Sequence, residues 1–365
     1  MPLAWIALNS VKGLGPVKIN ALLEKYGTAQ SAFEQLPDTL PMMGAEGKTV
    51  NKATIKKLAE EQLKRARELK VKVLTLADPD YPAQLKEIYA PPPVLFVKGH
   101  CEVFTKHAIA VVGTRRCTQY GKSATSMLVK ELVKQQLVIV SGLAHGIDTI
   151  AHRTCLDNKG QTVAVLGCGI DRCYPNDNQQ LLREIVSTGA VLSEFPLGTI
   201  PEPFNFPRRN RIISGCCAGV LVVEAPEKSG GLITANYALQ QGREVFAVPG
   251  SIFSESSTGP FNLIKDGAVP VRTANDIIEN IRGVTTAVVS KSKQAADGAL
   301  LMKMPLDLLS SQERAVFEAC SEVPARFDTL VEKTGKPISE MFDILLSLEL
   351  KGLLRQVSGQ HYIRV

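Results

Sequence analysis

Residues 109–116 have the sequence Ile109-Ala110-Val111-Val112-Gly113-Thr114-Arg115-Arg116, a short apolar run that ends in a glycine and two arginines. An apolar, β-branched run of this length predicts a strand buried on both faces of a parallel sheet. The glycine at its end predicts a tight turn into the next element. Similar runs followed by glycines occur at 138–148, 163–169 and 221–234. These segments predict a doubly wound α/β fold with a mostly parallel sheet.

The alternation of strands and helices extends from about residue 94 to residue 280, and we assign 73–282 to one α/β domain. The predicted strands are Val94–Lys98, Ile109–Val112, Val138–Val140, Thr162–Leu166, Ala190–Ser193, Val220–Val223 and Val245–Val248. The predicted helices between them are Gly121–Gln135, Asp148–Asn158, Asn176–Ser187 and Thr234–Gln241. In such a sheet, ligands bind outside the carboxyl ends of the strands.

Residues 1–72 predict a small helical domain that precedes extended, proline-broken sequence up to Pro93. Its predicted helices are Pro2–Leu8, Pro16–Tyr26, Ala29–Gln35 and Asn51–Lys70. The turn Val11–Lys18 contains two glycines and resembles a helix-hairpin-helix turn, which presents backbone N–H groups to a nucleic-acid phosphate. A plain glycine-rich turn between two helices explains the same residues equally well.

A polar segment, 283–307, predicts a linker to a second small domain at 308–365. Three predicted helices and a strand pair follow the winged-helix plan: Ser311–Cys320, Arg326–Thr334 and Pro337–Lys351, then Leu353–Val357 and Tyr362–Val365, turned at Ser358-Gly359. The third helix would be the recognition helix if this domain bound duplex DNA. Because we expect Glu340, Asp343 and Glu349 on its exposed face, we favour protein contact or a vestigial role over duplex binding.

The composition indicates the class of protein but does not identify its ligand. The chain has 365 residues and a formal net charge of +6, which permits an anionic partner without requiring one. Its eight cysteines form no CxxC pair, so we expect no metal site and no cofactor. No apolar run reaches the length of a membrane span and no signal-peptide pattern is present, so we expect a cytoplasmic protein with free thiols.

Nearly every predicted strand of the α/β domain ends in a glycine-bearing polar loop. Glycine lets the backbone approach a ligand, and the start of the following helix presents free N–H groups to an anion. A single loop of this kind is best explained by tight packing between strand and helix. Several such loops on one rim of the sheet instead indicate a phosphate-binding site. The rim residues expected to contact nucleic acid are Gly113, Thr114, Arg115, Ser141, Gly142, His145, Gly146, Gly169, Ser229, Gly230, Gly231 and Thr234.

A second basic stretch, Pro203-Phe204-Asn205-Phe206-Pro207-Arg208-Arg209-Asn210-Arg211, places two phenylalanines among three arginines. We predict a loop whose positive charge is unpaired. Arg208 and Arg211 would neutralise phosphates together with Arg115, as parts of one site. Phe204 or Phe206 would stack on bases, and Asn210 would orient backbone or contact a sugar. Stacking favours a single strand over a lone phosphate, with little readout of base sequence.

Other ligands and activities have weaker support. The loop Gly142–Gly146 lacks the dinucleotide fingerprint, the Gly-x-Gly at 167–169 lacks its third glycine, and no Walker lysine motif is present. His145 could act as a base, but a capping or phosphate-neighbouring role is favoured. We expect His152 in the core and Asp148 orienting the preceding loop.

No catalytic pattern emerges from the remaining polar residues. We expect Glu224 to pair with an arginine, and Glu194 lies near a strand end. No Ser/His/Asp order and no Cys/His pair stands out.

Many segments in order resemble the DNA-processing protein A family (DprA/Smf), over nearly the whole chain. They include 92–99, 111–115, 141–148, 164–175, 206–213, 229–235 and 246–250. The resemblance implies a sterile-alpha-motif-like N-terminal domain, an extended Rossmann domain and a winged-helix domain. It implies a homodimer that binds and protects single-stranded DNA and loads the RecA recombinase during natural transformation. Arg115 would be the main DNA contact, and 206–211 would line the same pocket.

Two positions depart from the family pattern. His145 stands where members often carry lysine or arginine, and Asn176 stands where some carry lysine. Both changes remove positive charge, so affinity would be lower or more dependent on pH.

Two rival functions stay open at this point. One is a nucleotide-processing enzyme of the phosphoribohydrolase type, although 229–234 lacks the second half of that enzyme's motif. The other is a protein adaptor whose DNA binding is incidental. The expected dimer surface lies around Tyr237–Gln241 and Leu263–Val271, where apolar residues exceed the needs of one core face.

Overall fold

The structure, a computed structural model, describes residues 2–41, 49–281, 310–320, 325–350, 353–357 and 361–364. The chain divides into two compact units, Met1–Val288 and Val289–Val365. The predicted linker 283–307 and the turn at Ser358-Gly359 lie outside the described residues.

The N-terminal segment is mainly helical, as the sequence predicts. Its elements are α1 (Pro2–Asn9), α2 (Pro16–Tyr26), α3 (Ala29–Glu34), β1 (Thr39–Pro41), β2 (Thr49–Asn51) and α4 (Lys52–Glu68). The antiparallel pair of β1 and β2 was not predicted. Ile6, Leu8 and Ile55 are buried in one apolar cluster with Phe96 and Leu166 of the α/β domain. The helices therefore share a hydrophobic core with the α/β domain inside the first unit.

The described part of the first unit is built on a nine-stranded sheet. Its strands are β3 (Lys72–Thr75), β4 (Val94–Gly99), β5 (Ala108–Val112), β6 (Val138–Ser141), β7 (Thr162–Val165), β8 (Ala190–Ser193), β9 (Gly219–Val222), β10 (Glu244–Ala247) and β11 (Val269–Pro270). The strand order is β11-β10-β9-β5-β6-β7-β8-β4-β3. All neighbouring pairs from β11 to β8 are parallel, and β4 and β3 continue the sheet in antiparallel pairing.

This topology confirms the doubly wound, mostly parallel sheet. The helices that connect or flank the strands are α5 (Ala83–Lys86), α6 (Gln119–Lys134), α7 (Ile147–Asp157), α8 (Gln179–Thr188), α9 (Asn205–Gly215), α10 (Gly230–Gln240), α11 (Thr258–Lys265) and α12 (Ala274–Ile278). The chain winds outward from β5 to β8 and then returns to place β9 beside β5. The strand order reverses at β5 and β9, which is where open α/β sheets form their ligand crevice.

The second unit confirms three helices followed by a strand pair. Its elements are α13 (Ser311–Ala319), β12 (Ala325–Arg326), α14 (Phe327–Thr334), α15 (Ile338–Leu350), β13 (Leu354–Val357) and β14 (His361–Arg364). The short strand β12 adds to β14 and was not predicted. Glu340 and Asp343 are exposed on α15, but Glu349 is half-buried.

Two expectations from composition concern the whole chain. All eight cysteines are free thiols, as expected. Within the described ranges, no helix combines the length and apolarity that crossing a bilayer requires.

Candidate nucleic-acid interface

A groove of about 910 Å³ lies over the carboxyl edge of the sheet, at the point where the strand order reverses. The predicted residues that line it are Gly113, Thr114, Arg115, Phe206, Asn210, Ser229, Gly230, Gly231 and Thr234. Its other polar and aromatic lining residues are Arg116, Asp148, Arg209, Lys228, Phe253, Ser254, Glu255 and Ser256. The groove is therefore formed by the segments that follow β5, β6, β9 and β10, together with α9.

The loop after β5 is held tightly by its neighbours. The N–H of Thr114 donates to the Glu224 carbonyl oxygen (2.6 Å), and the Thr114 carbonyl accepts from the N–H of Ile147 (3.2 Å). Gly146 has a φ of +75°, and a β-carbon there would collide with the Thr114 carbonyl. Since Gly113 is likewise enclosed by Ile147 and Glu224, both glycines are required by packing. The packing fixes the backbone from which Arg115 extends.

Three cations at the groove are exposed, namely Arg115, Arg116 and Lys228. None of them forms an ion pair with a carboxylate in the described part of the chain. The guanidinium carbon of Arg115 lies 5.8 Å from the centre of the Phe206 ring, within the range of a cation–π contact. An unpaired guanidinium held against an aromatic ring is well suited to bind a phosphate whose base stacks nearby.

The loop between β6 and α7 is organised by the buried carboxylate of Asp148, as predicted. Asp148 accepts hydrogen bonds from the N–H groups of Gly142 (3.1 Å) and Ala144 (3.3 Å). Burial raises the pKa of Asp148, while the nearby Arg209 and these N–H groups act in the opposite direction. Asn178, which sequence reasoning missed, donates to the Leu143 carbonyl (2.9 Å) and fixes the loop from the turn that precedes α8.

The stretch 203–211 is not a loop, and that prediction is wrong. Helix α9 begins at Asn205 and continues to Gly215, so Pro207 lies in its first turn. Proline is tolerated there because the N–H groups of the first turn have no partner within a helix. The helical period places Phe206, Asn210 and Ile213 along the groove.

The same period turns Arg208 and Arg211 away from the groove. On that side of the helix, their charges are paired with a carboxylate. Both guanidinium groups donate to one carboxylate oxygen of Glu194, at 3.1 Å from Arg208 and 2.5 Å from Arg211. The Glu194 side chain is 2% exposed and that of Arg211 is 10% exposed. Arg211 also donates to the Ala90 carbonyl (2.5 Å). The expectation of unpaired charge at these two positions is therefore wrong.

Arg209, which lies between them in the sequence, forms part of the groove floor. It donates to the carbonyls of Gly142 (2.8 Å) and Val165, and it is almost fully buried. Burial lowers the pKa of Arg209 to about 10, so the group stays charged at neutral pH. Its guanidinium lies 5.9 Å from the Phe206 ring on which Arg115 also rests.

The two predicted phenylalanines differ in their surroundings. Phe206 is half-buried, and the space beside its ring is open only because position 167 is a glycine. Tyr174, which sequence reasoning did not single out, lies 5.3 Å from it, centre to centre, and is 43% exposed. Phe204 is 70% exposed at the start of α9 and is absent from the groove lining. Phe206 and Tyr174 thus form the aromatic cluster next to Arg115.

The start of α10 faces the groove with open space above it. Helix α10 begins at Gly230, four residues before the predicted start, and the Ser229 hydroxyl accepts from the N–H of Gly231 (3.3 Å). Asn210 donates to the Gly230 carbonyl (3.2 Å), so it orients backbone as predicted. A β-carbon at Gly230 would meet nothing within 4 Å, in contrast to Gly113 and Gly146.

The remaining predicted contacts lie outside the groove lining. The Ser141 hydroxyl donates to the Val111 carbonyl (2.7 Å), and Gly169 packs against Asp171. His145 is half-exposed, with Nε2 3.8 Å from the carboxylate of Asp177. Asn176 is exposed one residue before that aspartate.

The expected pairing of Glu224 with an arginine is wrong. Its carboxylate accepts from the N–H (2.9 Å) and the hydroxyl (2.5 Å) of Thr118, at the start of α6. His152 is fully buried, as predicted, and its Nδ1 lies 2.7 Å from the Thr162 hydroxyl oxygen. Because that hydroxyl donates to Ile139, Nδ1 must carry the proton, and Nε2 has no partner among the described residues. Burial lowers the pKa of His152 to about 3.

Comparisons with known proteins agree on one family. The model of DNA recombination-mediator protein A matches residues 72–282, and the DprA winged helix domain matches residues 302–360. Protein Smf of Synechocystis sp. is 35% identical over 99% of this chain and 98% of its own length. DNA processing protein DprA of Bacillus subtilis is 46% identical over 59% of this chain and 73% of its own.

Two solved structures share this fold. DNA processing protein A of Streptococcus pneumoniae is 36% identical, with a TM-score of 0.65 over 77% of this chain and 98% of that chain. The Helicobacter pylori protein, whose structure concerns its single-stranded DNA binding mode, is 28% identical, with a TM-score of 0.53 over 60% of this chain and 97% of that chain.

Proposed function

Since the chain belongs to the DNA recombination-mediator protein A family, we propose that it binds single-stranded DNA in the groove at the carboxyl edge of its sheet. The observation that carries the proposal is the exposed, unpaired guanidinium of Arg115 held against the ring of Phe206. Arg116 and Lys228 add two further unpaired cations along the same groove. The Helicobacter pylori relative, described by its single-stranded DNA binding mode, supports the same ligand.

The arrangement fits a flexible strand better than a small nucleotide. The cations follow two different strands, β5 and β9, and so are spread along the groove. Successive phosphates of one DNA strand would contact these cations in turn, while a base stacks on Phe206. Stacking and phosphate contacts tolerate any base sequence, so the protein would bind strands of different sequence with similar affinity.

In its cellular role, the protein would protect the bound strand and load the RecA recombinase onto it during natural transformation, acting in the cytoplasm. The names of the family and of the Bacillus subtilis relative support a role in DNA processing. It would act as a homodimer through the α/β unit. In support, Leu239 and Phe261 are more than half exposed on α10 and α11, at or next to the predicted dimer surface.

We propose that this activity involves no catalysis by the groove. Glu224 is bound by Thr118, and the carboxylate of Asp148 is bound by backbone N–H groups, so neither is free to act on a substrate. His152 is buried with a pKa of about 3. These roles argue against the phosphoribohydrolase alternative.

Fluorescence anisotropy of a labelled oligothymidylate tests the proposal directly. We expect saturable binding that weakens with salt and shows little preference among base sequences. Incubation with nucleoside monophosphates, followed by assay for free base, tests the alternative. Absence of binding to single strands, or release of free base above the rate in buffer, would contradict the proposal. Recombinase assembly on the strand, measured with and without the protein, tests the loading step.

A further inference from the structure

The segment 249–257 forms the wall of the groove that follows β10. It exposes two large apolar side chains, Ile252 (86%) and Phe253 (93%). Phe253 lines the groove together with Ser254, Glu255 and Ser256, whereas Ile252 is absent from that lining. An aromatic ring left in solvent at the edge of a cationic groove calls for a partner that covers it.

The backbone of this segment is held in place by contacts from two neighbouring elements and by a hydrogen bond of its own. The Tyr120 hydroxyl donates to the Pro249 carbonyl (2.5 Å) from α6, and the Ser256 carbonyl accepts from the N–H of Ala225 (2.7 Å) after β9. Within the segment, the N–H of Ser254 donates to the Ser251 carbonyl (3.0 Å). Phe253 therefore projects from a loop whose backbone is already ordered, which limits the backbone entropy lost when a planar partner stacks on its ring.

We propose that Phe253 is a second stacking platform for the same DNA strand, at the opposite end of the groove from Phe206. The proposal rests on the single-strand binding proposed above. The cations Arg115 and Lys228 follow β5 and β9, which lie between the two rings in the strand order. Phosphates bound there would connect a base on Phe206 to a base on Phe253.

The spacing between the β-strands sets the length of DNA that is required to reach both rings. Phe206 packs beside Gly167, which follows β7, and Phe253 follows β10. Four inter-strand steps separate β7 from β10, or roughly 19 Å at ~4.8 Å per step. At about 3.4 Å per stacked nucleotide this distance corresponds to roughly six nucleotides, and to fewer in an extended strand. A dinucleotide is too short to reach both rings.

The experiment compares Phe253→Ala with Ile252→Ala, a matched control with similar exposure that does not line the groove. Both are titrated with oligothymidylates of about two and about twelve nucleotides, by anisotropy for the longer strand and competition for the shorter. For the longer strand, Phe253→Ala should weaken binding by about 5- to 150-fold, the range expected for loss of one base stack. Ile252→Ala should change affinity less than about twofold. The dinucleotide should bind wild type and both variants alike.

A spectroscopic readout separates stacking from a loss of apolar contact. The chain has one tryptophan, Trp5, which lies in α1. In Phe253→Trp, the added emission should be quenched as the longer oligothymidylate saturates the protein, with affinity at or above that of wild type. Quenching that is absent at saturation would overturn the proposal.

The controls also distinguish this inference from the function on which it rests. If wild type binds no single strand, the proposed function fails. If wild type binds but Phe253→Ala and Ile252→Ala bind the longer strand equally well, only the inference about Phe253 fails. A change in the sedimentation of the DNA-free protein caused by Phe253→Ala would also overturn it, because it would assign Phe253 to a contact between protein chains.

Discussion

Replacing Arg115 by alanine should remove one phosphate contact from the groove without disturbing the fold. Arg115 is exposed, and its guanidinium touches Phe206 without an ion-pair partner among the described residues. If Arg115, Arg116 and Lys228 each neutralise one phosphate of a single strand, the log–log salt slope is about −2.1, at −0.7 per phosphate. Affinity would then fall about 18-fold between roughly 50 and 200 mM salt. In Arg115→Ala the slope becomes about −1.4, and the fall about 7-fold.

The loss at fixed salt follows from the strength of the contact. A hydrogen bond to a charged group contributes about 1.5–3 kcal/mol, and the lower end applies because Arg115 is exposed. We therefore expect affinity to fall roughly 12-fold at low salt. Arg115→Lys should keep the slope of wild type, because it keeps the charge, but should bind less tightly because it lacks the bidentate fork.

Arg208→Ala is the matched control for this measurement. It removes an arginine of the other basic segment, but one whose guanidinium is bound to Glu194. Anisotropy titrations of a labelled oligothymidylate at four or more salt concentrations give affinity and slope together. We expect Arg208→Ala to keep the wild-type slope. An unchanged slope in Arg115→Ala, or an equal reduction in Arg208→Ala, would refute the assignment of phosphate contacts.

Two further predictions concern buried charge and stability. Arg211→Ala leaves the 2%-exposed Glu194 paired only with the more exposed Arg208, and should lower the free energy of unfolding by about 1.5–3 kcal/mol in urea titrations, the contribution of one hydrogen bond to a charged group. Arg208→Ala, which keeps the buried pair, should lose clearly less, and equal losses would contradict the ranking. The folded-state pKa of His152, about 3, is below the ordinary 6.5, so the unfolded chain takes up the proton first and stability falls as pH drops below 6.5. We expect a loss of about 2 kcal/mol between pH 6.5 and pH 5 that is absent in His152→Gln. Asp148, with its raised pKa, has the opposite sign and is common to both proteins, so their difference isolates the histidine.

The sheet could be predicted closely because its strands are continuous apolar runs that end in glycine. Ala190–Ser193 was predicted with the observed bounds, and the bounds of the other central strands differ from the prediction by one residue at one or both ends. The short strands β1, β2, β11 and β12 were missed because two or three residues carry no periodic signal, and β3 lies at the start of a segment that was predicted only as extended. Helix α9 was missed because Pro207 and two phenylalanines resemble a loop, although a proline in the first turn costs a helix nothing.

The structural role of each glycine could not be predicted from the sequence, because that role depends on a neighbour that is distant in the chain. Gly142 lies against the guanidinium of Arg209, and Gly167 lies against the ring of Phe206. Gly230 has nothing near it and leaves room above the helix start. Each has the same appearance in a sequence, yet the first two serve packing and the third leaves the groove open. Pairing of Glu194 with two arginines of α9 was hidden for the same reason.

The pairing of Arg211 with Glu194 changes the role of the second basic segment. The sequence suggested that Arg208 and Arg211 bind phosphates together with Arg115. In the structure, their bonds to Glu194 fix the rotation of α9, and that rotation turns Phe206 and Asn210 toward the groove. Loss of Arg211 should then weaken DNA binding through the position of Phe206 and leave the salt slope unchanged. Loss of Arg115 should reduce the slope, so the two arginines act on the same strand by different means.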